Sequence, residues 1–567
     1  MSTISEGLST PDSDPIAITH SSTIRRLLDG ESSIDRWLVR AGDWCSPILV
    51  KETRQSLKSR QFQWTFILLM VAIAGWTLFA VLTSVPAIYF QPAGRYLLAG
   101  YIFILVIPAC VVVPNAAYRS MANELEQGTF DVLTLSPLSS FQIVLGKLAV
   151  ASVQSGFYFA SLTPCFALTY LLRGVTWMSI FLPLATIAIG SLILIAVGLL
   201  LGSLDRARRY STLISIAMIL LTIAGAFTLY GMLTGFVFDM ANTSGDPDMQ
   251  IAFASMFLFF LFLMTYVVLV ILAASAAIGM ASENYSTTIR WWGFFQSLFM
   301  VGLCGAGFGM MISMTTGRGS ASVFREAEQM LSFFFITQAL HWTVLGVFFV
   351  SERGVLTPRS RRRLPATLIQ RVFLSWGNPG SGTGYVFILL CLAGVILSSM
   401  IFWVWLIMNQ GGATRGIATY QSGYGELNCI TIGTMVWCWL AFYLGLVRLF
   451  MVCFAKNRAN RFVLGIVLLL LFQFIGIAGT LYLSTLESNT NTPTFEWYSI
   501  ANIPWSIVDS HKLPSGALEA LLLFSSMVIA LNWLTLSRDL TVVKLAVPPR
   551  VKEARTESKA ILEDDAD

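Results

Sequence analysis

The chain has 567 residues, 56% of them hydrophobic and 12% charged, with a formal net charge of +5. A soluble domain is nearer a quarter charged, and repeated apolar runs of about 20 residues have the length that crosses the hydrocarbon core of a bilayer. This balance excludes a soluble globular enzyme. It also excludes a nucleic-acid-binding domain, because the basic residues cluster beside apolar runs and lack aromatic interleaving.

Residues 1–45 read as a cytoplasmic, largely disordered tail. Positions 1–20 are rich in Ser, Thr, Asp and Pro and hold no Lys or Arg and no apolar core, so they do not read as a secretory signal. The stretch SPILVKETRQSLKSRQFQW follows, Ser46–Trp64. Lys51, Arg54 and Lys58 recur there at i, i+3 and i+7, with Val50 and Leu57 on another face. That spacing predicts an amphipathic helix over 46–60 in the inner membrane interface, cations toward anionic headgroups. An ordinary basic flank of a first span fits the same residues.

Twelve apolar runs predict twelve passes, at about 61–84, 96–115, 148–171, 176–202, 212–235, 253–280, 292–315, 331–350, 384–408, 427–452, 463–483 and 516–536. The Lys and Arg distribution orients them. With a cytoplasmic N-terminus, thirty of the 36 basic residues fall inside, and only Arg95, Arg173, Arg318, Arg325, Arg415 and Lys512 fall outside. Both termini are then cytoplasmic and residues 537–567 form a charged inner tail. The expected setting is a cell's inner (cytoplasmic) membrane. Loops on the outside are too short for a separate receptor domain.

Between passes two and three lies ELEQGTFDVLTLSPLSSFQIVLGK, Glu124–Lys147. Glu124 and Glu126 read as part of a short helix that Gly128 ends. Thr129 caps a second short helix, with Asp131 in its first turn and Phe130 and Leu133 on one face. Pro137 stops that turn. Leu138 precedes Ser139, which stands at capping-box spacing from Gln142 and starts the third pass through Gly146 and Lys147. The expected result is a small apolar knob with polar flanks, held at the inner membrane surface within residues 116–147.

These residues resemble the cytoplasmic loop of type-2 ABC (ABC-2 type) exporter permeases. The pattern shared is Glu124, Glu126, Gly128, Thr129, Asp131, Leu133, Pro137, Leu138, Ser139, Gly146 and Lys147. Leu125, Thr134 and Ser136 depart from it, where a basic residue, Leu and Thr are usual. The resemblance implies an all-α polytopic fold with a permease-like six-helix unit over 61–280, preceded by a connecting helix. It implies that Glu124–Pro137 is a coupling helix, docked on a separate ATPase subunit that works as a dimer and consumes the ATP.

No GxxxxGK[ST] is present, so the chain is not expected to bind ATP directly or to be an enzyme. GNPGSGTG, Gly377–Gly384, lacks the lysine and a preceding strand, and reads as a flexible loop. The eight cysteines form no CxxC pair and no metal spacing, and no metal site is expected. His20, His341 and His511 are far apart. His341, with Gln338 and Trp342, reads as an interhelical hydrogen-bonder rather than a proton relay.

Residues 292–536 form a second six-pass half. Its loop SERGVLTPRSRRR, Ser351–Arg363, faintly echoes the first loop but reads as a positive-inside anchor. A fused, degenerate second permease half and an accessory unit on a homodimerising first half both remain open, as pseudo-dimer or homodimer. For function, the leading reading is the membrane subunit of an ATP-driven exporter. A twelve-pass secondary transporter driven by an ion gradient is the main rival, and no Asp or Glu lies deep in a pass to support it. A membrane enzyme and a permease-like protein that moves no solute are the remaining classes. The substrate is not encoded in any of these features.

Overall fold

A computed structural model describes residues 47–85, 94–127, 139–172, 174–204, 208–239, 249–279, 285–314, 320–352, 376–411, 428–454, 461–487 and 516–540, and positions 361–362, 364–365, 367 and 370–371. Helices make up every regular element among them. A short α1, Pro47–Leu57, is followed by twelve long helices. These are α2 Arg60–Ser84, α3 Gly94–Glu126, α4 Ser140–Leu171, α5 Trp177–Leu204, α6 Arg208–Asp239 and α7 Met249–Ile278. Then come α8 Tyr285–Met314, α9 Ser320–Val350, α10 Ser381–Gly411, α11 Asn428–Phe454, α12 Arg461–Glu487 and α13 Ala517–Leu540. Each expected pass has its helix. Eleven carry a described apolar stretch long enough to cross a membrane, and in α12 that stretch is the shorter Leu464–Thr480. The protein is an all-α, multi-pass membrane protein.

The chain divides into two compact units, Met1–Ala241 and Asn242–Asp567. The boundary expected after residue 280 therefore moves forward, and the sixth pass belongs with the second unit. The physical reason is packing: Trp292 on α8 donates its indole N–H to the Thr265 carbonyl of α7 at 3.0 Å, and Gln296 on α8 reaches the Thr265 hydroxyl at 3.0 Å.

In the first unit, α3 and α5 make the closest approach. Gly198 and Gly202 sit one turn apart on α5. A methyl group at either would stand 2.7 Å from the Pro114 carbonyl or 2.8 Å from the Tyr118 carbonyl of α3. Small residues at this spacing let two membrane helices meet backbone to backbone. Tyr101, Leu105, Cys110, Val113 and Met121 of α3 fill the core with Val144 and Tyr158 of α4 and Ile195 and Leu199 of α5. The outer faces of α2 and α6 stay apolar and exposed, as at Leu68, Phe79, Leu220 and Met232. That distribution suits contact with lipid, because a bilayer gives apolar side chains no reason to hide.

Helix α3 is 33 residues long, about 50 Å at 1.5 Å per residue, well beyond a hydrocarbon core of ~30 Å. It contains a π-helical turn, Ile107–Val112, with Pro108 at its start and Pro114 two residues past its end. Asn115 compensates by donating to the Val111 carbonyl at 2.7 Å and to the Thr222 hydroxyl of α6 at 2.8 Å.

The core of the second unit is aromatic. Trp342, Trp403, Trp439, Phe335 and Phe349 are fully buried. Gly445 of α11 is the tight point, with Asn532 of α13 and the Tyr385 hydroxyl of α10 both within 3 Å of where a methyl group would be. Arg448, one turn on, is buried and donates to the Asn532 side chain at 2.7 Å and the Thr535 hydroxyl at 2.8 Å.

Candidate functional site

The described part of the Glu124–Lys147 stretch is its two feet. Gly128, Thr129, Phe130, Asp131, Leu133, Pro137 and Leu138 lie outside the described residues. Glu124 and Glu126 are not on a separate short helix; they form the last turn of α3, which runs unbroken to Glu126. The helical end accounts for residues 116–126 of the expected loop, and α4 begins at Ser140. The part of 116–147 outside these two helices is therefore shorter than expected. The reason is composition: Ala122, Glu124, Leu125 and Glu126 at the end of α3 are good helix formers, with no Gly or Pro before Gly128.

The far foot is capped as its spacing predicts. The Ser139 hydroxyl accepts from the Gln142 amide at 3.3 Å, while the Gln142 side chain accepts from the Ser139 amide at 3.0 Å. Two amides that a helix N-terminus leaves unpaired are thereby satisfied. Gly146 lies in the second turn of α4 with open space where a side chain would be.

Lys147 joins the feet. Its side chain is buried, 4% exposed, and its ammonium meets three oxygens. Glu124 Oε1 accepts at 2.6 Å and the Ser120 hydroxyl at 3.2 Å, both from α3. Glu52 Oε1, from α1, lies at 3.5 Å. An ammonium has three N–H donors, and this site supplies three acceptors. One lysine thus ties together the start of α4, the end of α3 and the middle of α1.

Glu52 was not legible as a partner. It is the lone carboxylate of α1, on a face turned from that of Lys51, Arg54 and Lys58, which are all exposed. Burial pushes its carboxyl above the usual range; Lys147 pulls the other way and the neighbouring Glu124 adds to the rise. The predicted amphipathic helix over 46–60 is present but shorter. It ends at Leu57, Lys58 stands in the turn after it, and Ser59 then caps α2 by accepting from the Phe62 amide.

A second polar junction lies in the other unit, and sequence reasoning missed it. Arg290, near the start of α8, is fully buried. Its guanidinium donates to Glu352 Oε2 at 2.7 Å, to the carbonyls of Trp376, Asn378 and Gly380 at 2.5, 2.7 and 3.1 Å, and to the Thr383 hydroxyl at 3.2 Å. Ser286 and the Gly380 amide complete the shell of Glu352. The stretch Gly377–Gly384 is consequently not a flexible loop. Its carbonyls converge on a cation, which fixes it, and that inward polarity is the opposite of what a phosphate requires.

His341 is an interhelical hydrogen-bonder. Its Nε2 lies 3.2 Å from the Gly293 carbonyl of α8 and must donate, so Nδ1 accepts from the Tyr266 hydroxyl of α7 at 3.1 Å. The adjacent Gln338 accepts from the Ser297 hydroxyl at 2.8 Å. Both ring nitrogens are committed to protein partners on neighbouring helices. Among the described residues no cluster of His, Cys, Asp or Glu has the grouping of a metal site.

No family model, no curated protein and no solved structure matches this chain.

Proposed function

We propose that the protein is the membrane-spanning permease subunit of an ATP-driven exporter of the ABC-2 type, coupled through the connection between Glu126 and Ser139 to a separate ATPase that works as a dimer. The observation that carries this reading is the Lys147 junction. A push on a loop with free feet would be lost in the loop. Here the feet are bonded to one another and to α1, so a force on the loop moves the end of α3, the start of α4 and α1 together. In this reading the loop faces the cytoplasm, the protein sits in the inner membrane with both termini inside, ATP is bound and cleaved on the partner, and the chain itself is not an enzyme. The internal commitment of both His341 nitrogens argues against a proton relay through α9.

The test is affinity purification of the tagged protein from its own membranes in mild detergent, with mass spectrometry of the co-purifying proteins. A variant carrying Gly128→Pro and Phe130→Asp is run beside it. An ATPase with a phosphate-binding loop should co-purify with the parent and be lost from the variant at equal expression. Absence of any such ATPase overturns the reading and moves a gradient-driven transporter forward.

A further inference from the structure

The second unit holds a half-open cavity of about 160 Å³ between α8, α9 and α10. All of its lining residues lie within apolar stretches long enough to cross a membrane. Phe308 and Leu331, both buried, and Phe402 supply its apolar wall, with the Phe308 and Phe402 rings edge to face at 5.3 Å. Gly305 forms the rim: it is exposed, and a methyl group added there would meet nothing within 4 Å. A dry apolar cavity of about 150 Å³ holds one benzene ring, so this one has room for a single aromatic ring.

Its polar wall is two adjacent serines of α10. The Ser398 and Ser399 hydroxyls both donate to the Val395 carbonyl, at 2.9 and 2.8 Å. A hydroxyl has one proton and two lone pairs. With both protons spent on the chain itself, the serines offer the cavity acceptors only. A lipid acyl chain would leave those lone pairs unanswered. A ring bearing one O–H donor fills the apolar part and gives its proton to a serine oxygen. We propose that this cavity binds a small, membrane-dissolved phenol. It enters past Gly305 from the lipid side, sets its ring against Phe308 and Phe402, and donates its hydroxyl to Ser398 or Ser399. Sites for small molecules have this composition, mostly apolar with a few polar groups that fix orientation.

This inference does not depend on an ATPase partner, and its test needs only the purified chain in lipid nanodiscs. A phenol carrying a diazirine is photolysed with the protein, and the cross-linked residues are mapped by mass spectrometry of its peptides. Labels should gather on 301–308 of α8 and 398–402 of α10. Unlabelled phenol should suppress them. Toluene, a similar ring with no donor, should need roughly ten times the membrane concentration, the worth of one hydrogen bond. Gly305→Ala should keep the labels, and Gly305→Leu, whose side chain occupies the cavity, should lose them. In a Ser398→Ala, Ser399→Ala double variant, phenol and toluene should compete equally. Labels scattered over the lipid-facing helices and unmoved by either competitor overturn the proposal. So does equal suppression by phenol and toluene in the parent, which would make the cavity a place for any apolar group, an acyl chain included. Full labelling of Gly305→Leu at an unchanged melting temperature overturns it as well.

Discussion

Arg290 is held by groups 62 to 93 residues further along the chain, and every one of them is an acceptor. A planar guanidinium matches such a fork of carbonyls and carboxylate, whereas an ammonium offers three donors around a point. Arg290→Met should therefore lower stability by about 3 kcal/mol, because it strands a partly buried carboxylate and three carbonyls. Arg290→Lys should recover only a minor part of that. Thermal unfolding of the purified variants checks both. In the sequence Arg290 was readable only as one more positive charge on the inner side. The glycine-rich Gly377–Gly384 was readable only as loop, since nothing local announces that its carbonyls have a cation waiting 86 or more residues upstream. Lys147 and Glu124 were legible as positions, from their place beside the loop, but not as a pair. Glu52 carried no signal beyond being one acid among bases.

Among the elements, what was local was legible. The Ser139 cap needs only Gln142 three residues on, and it formed as its spacing requires. Apolar length gave most pass ends to within a few residues, but α4, α8 and α9 begin at Ser140, Tyr285 and Ser320, well before the expected 148, 292 and 331. The far end of α3 was not legible, because a helix that leaves the membrane and continues through ANELE loses its apolar signature without losing its hydrogen bonds. Two glycines separate packing from habit. Gly202 faces the Tyr118 carbonyl at 2.8 Å from where a methyl would be, and backbone does not yield. Gly146 faces nothing within 4 Å. Gly202→Ala should cost stability and force α3 and α5 apart. Gly146→Ala, in a helix interior with room to spare, should raise stability by about 0.5–1 kcal/mol. Melting temperatures of the two variants in the same detergent decide the pair.

For the whole molecule, the twelve-helix architecture followed from hydropathy alone, while the division into units did not. A run such as Met249–Ile278 is apolar whichever neighbour it chooses. Its choice of α8 rests on Trp292, Gln296 and Thr265, three polar contacts inside apolar sequence. The expected even number of crossings, with thirty basic residues on the inner side, makes a clear prediction about topology. Reporter fusions placed at the N-terminus and after residue 540 should both report the cytoplasm, and one placed between 488 and 515 should report the opposite face. A split result for the two termini would remove one crossing and reverse every loop downstream of it.

The π turn at Ile107–Val112 sets a phase angle. Relative to an α-helix, a single π turn carries one surplus residue, and one residue is worth about 100° of rotation. Everything after it on α3 is therefore turned by that amount against everything before it. The face that packs Tyr101 and Leu105 inward and the face that carries Ser120 and Glu124 to Lys147 are registered separately, with the π turn as the vernier between them. Removing one residue from this segment would leave a more regular helix, with its hydrophobic positions above the break in place. It would also swing Ser120 and Glu124 about 100° away from Lys147. The irregularity in the middle of the second pass is what aims its C-terminal end.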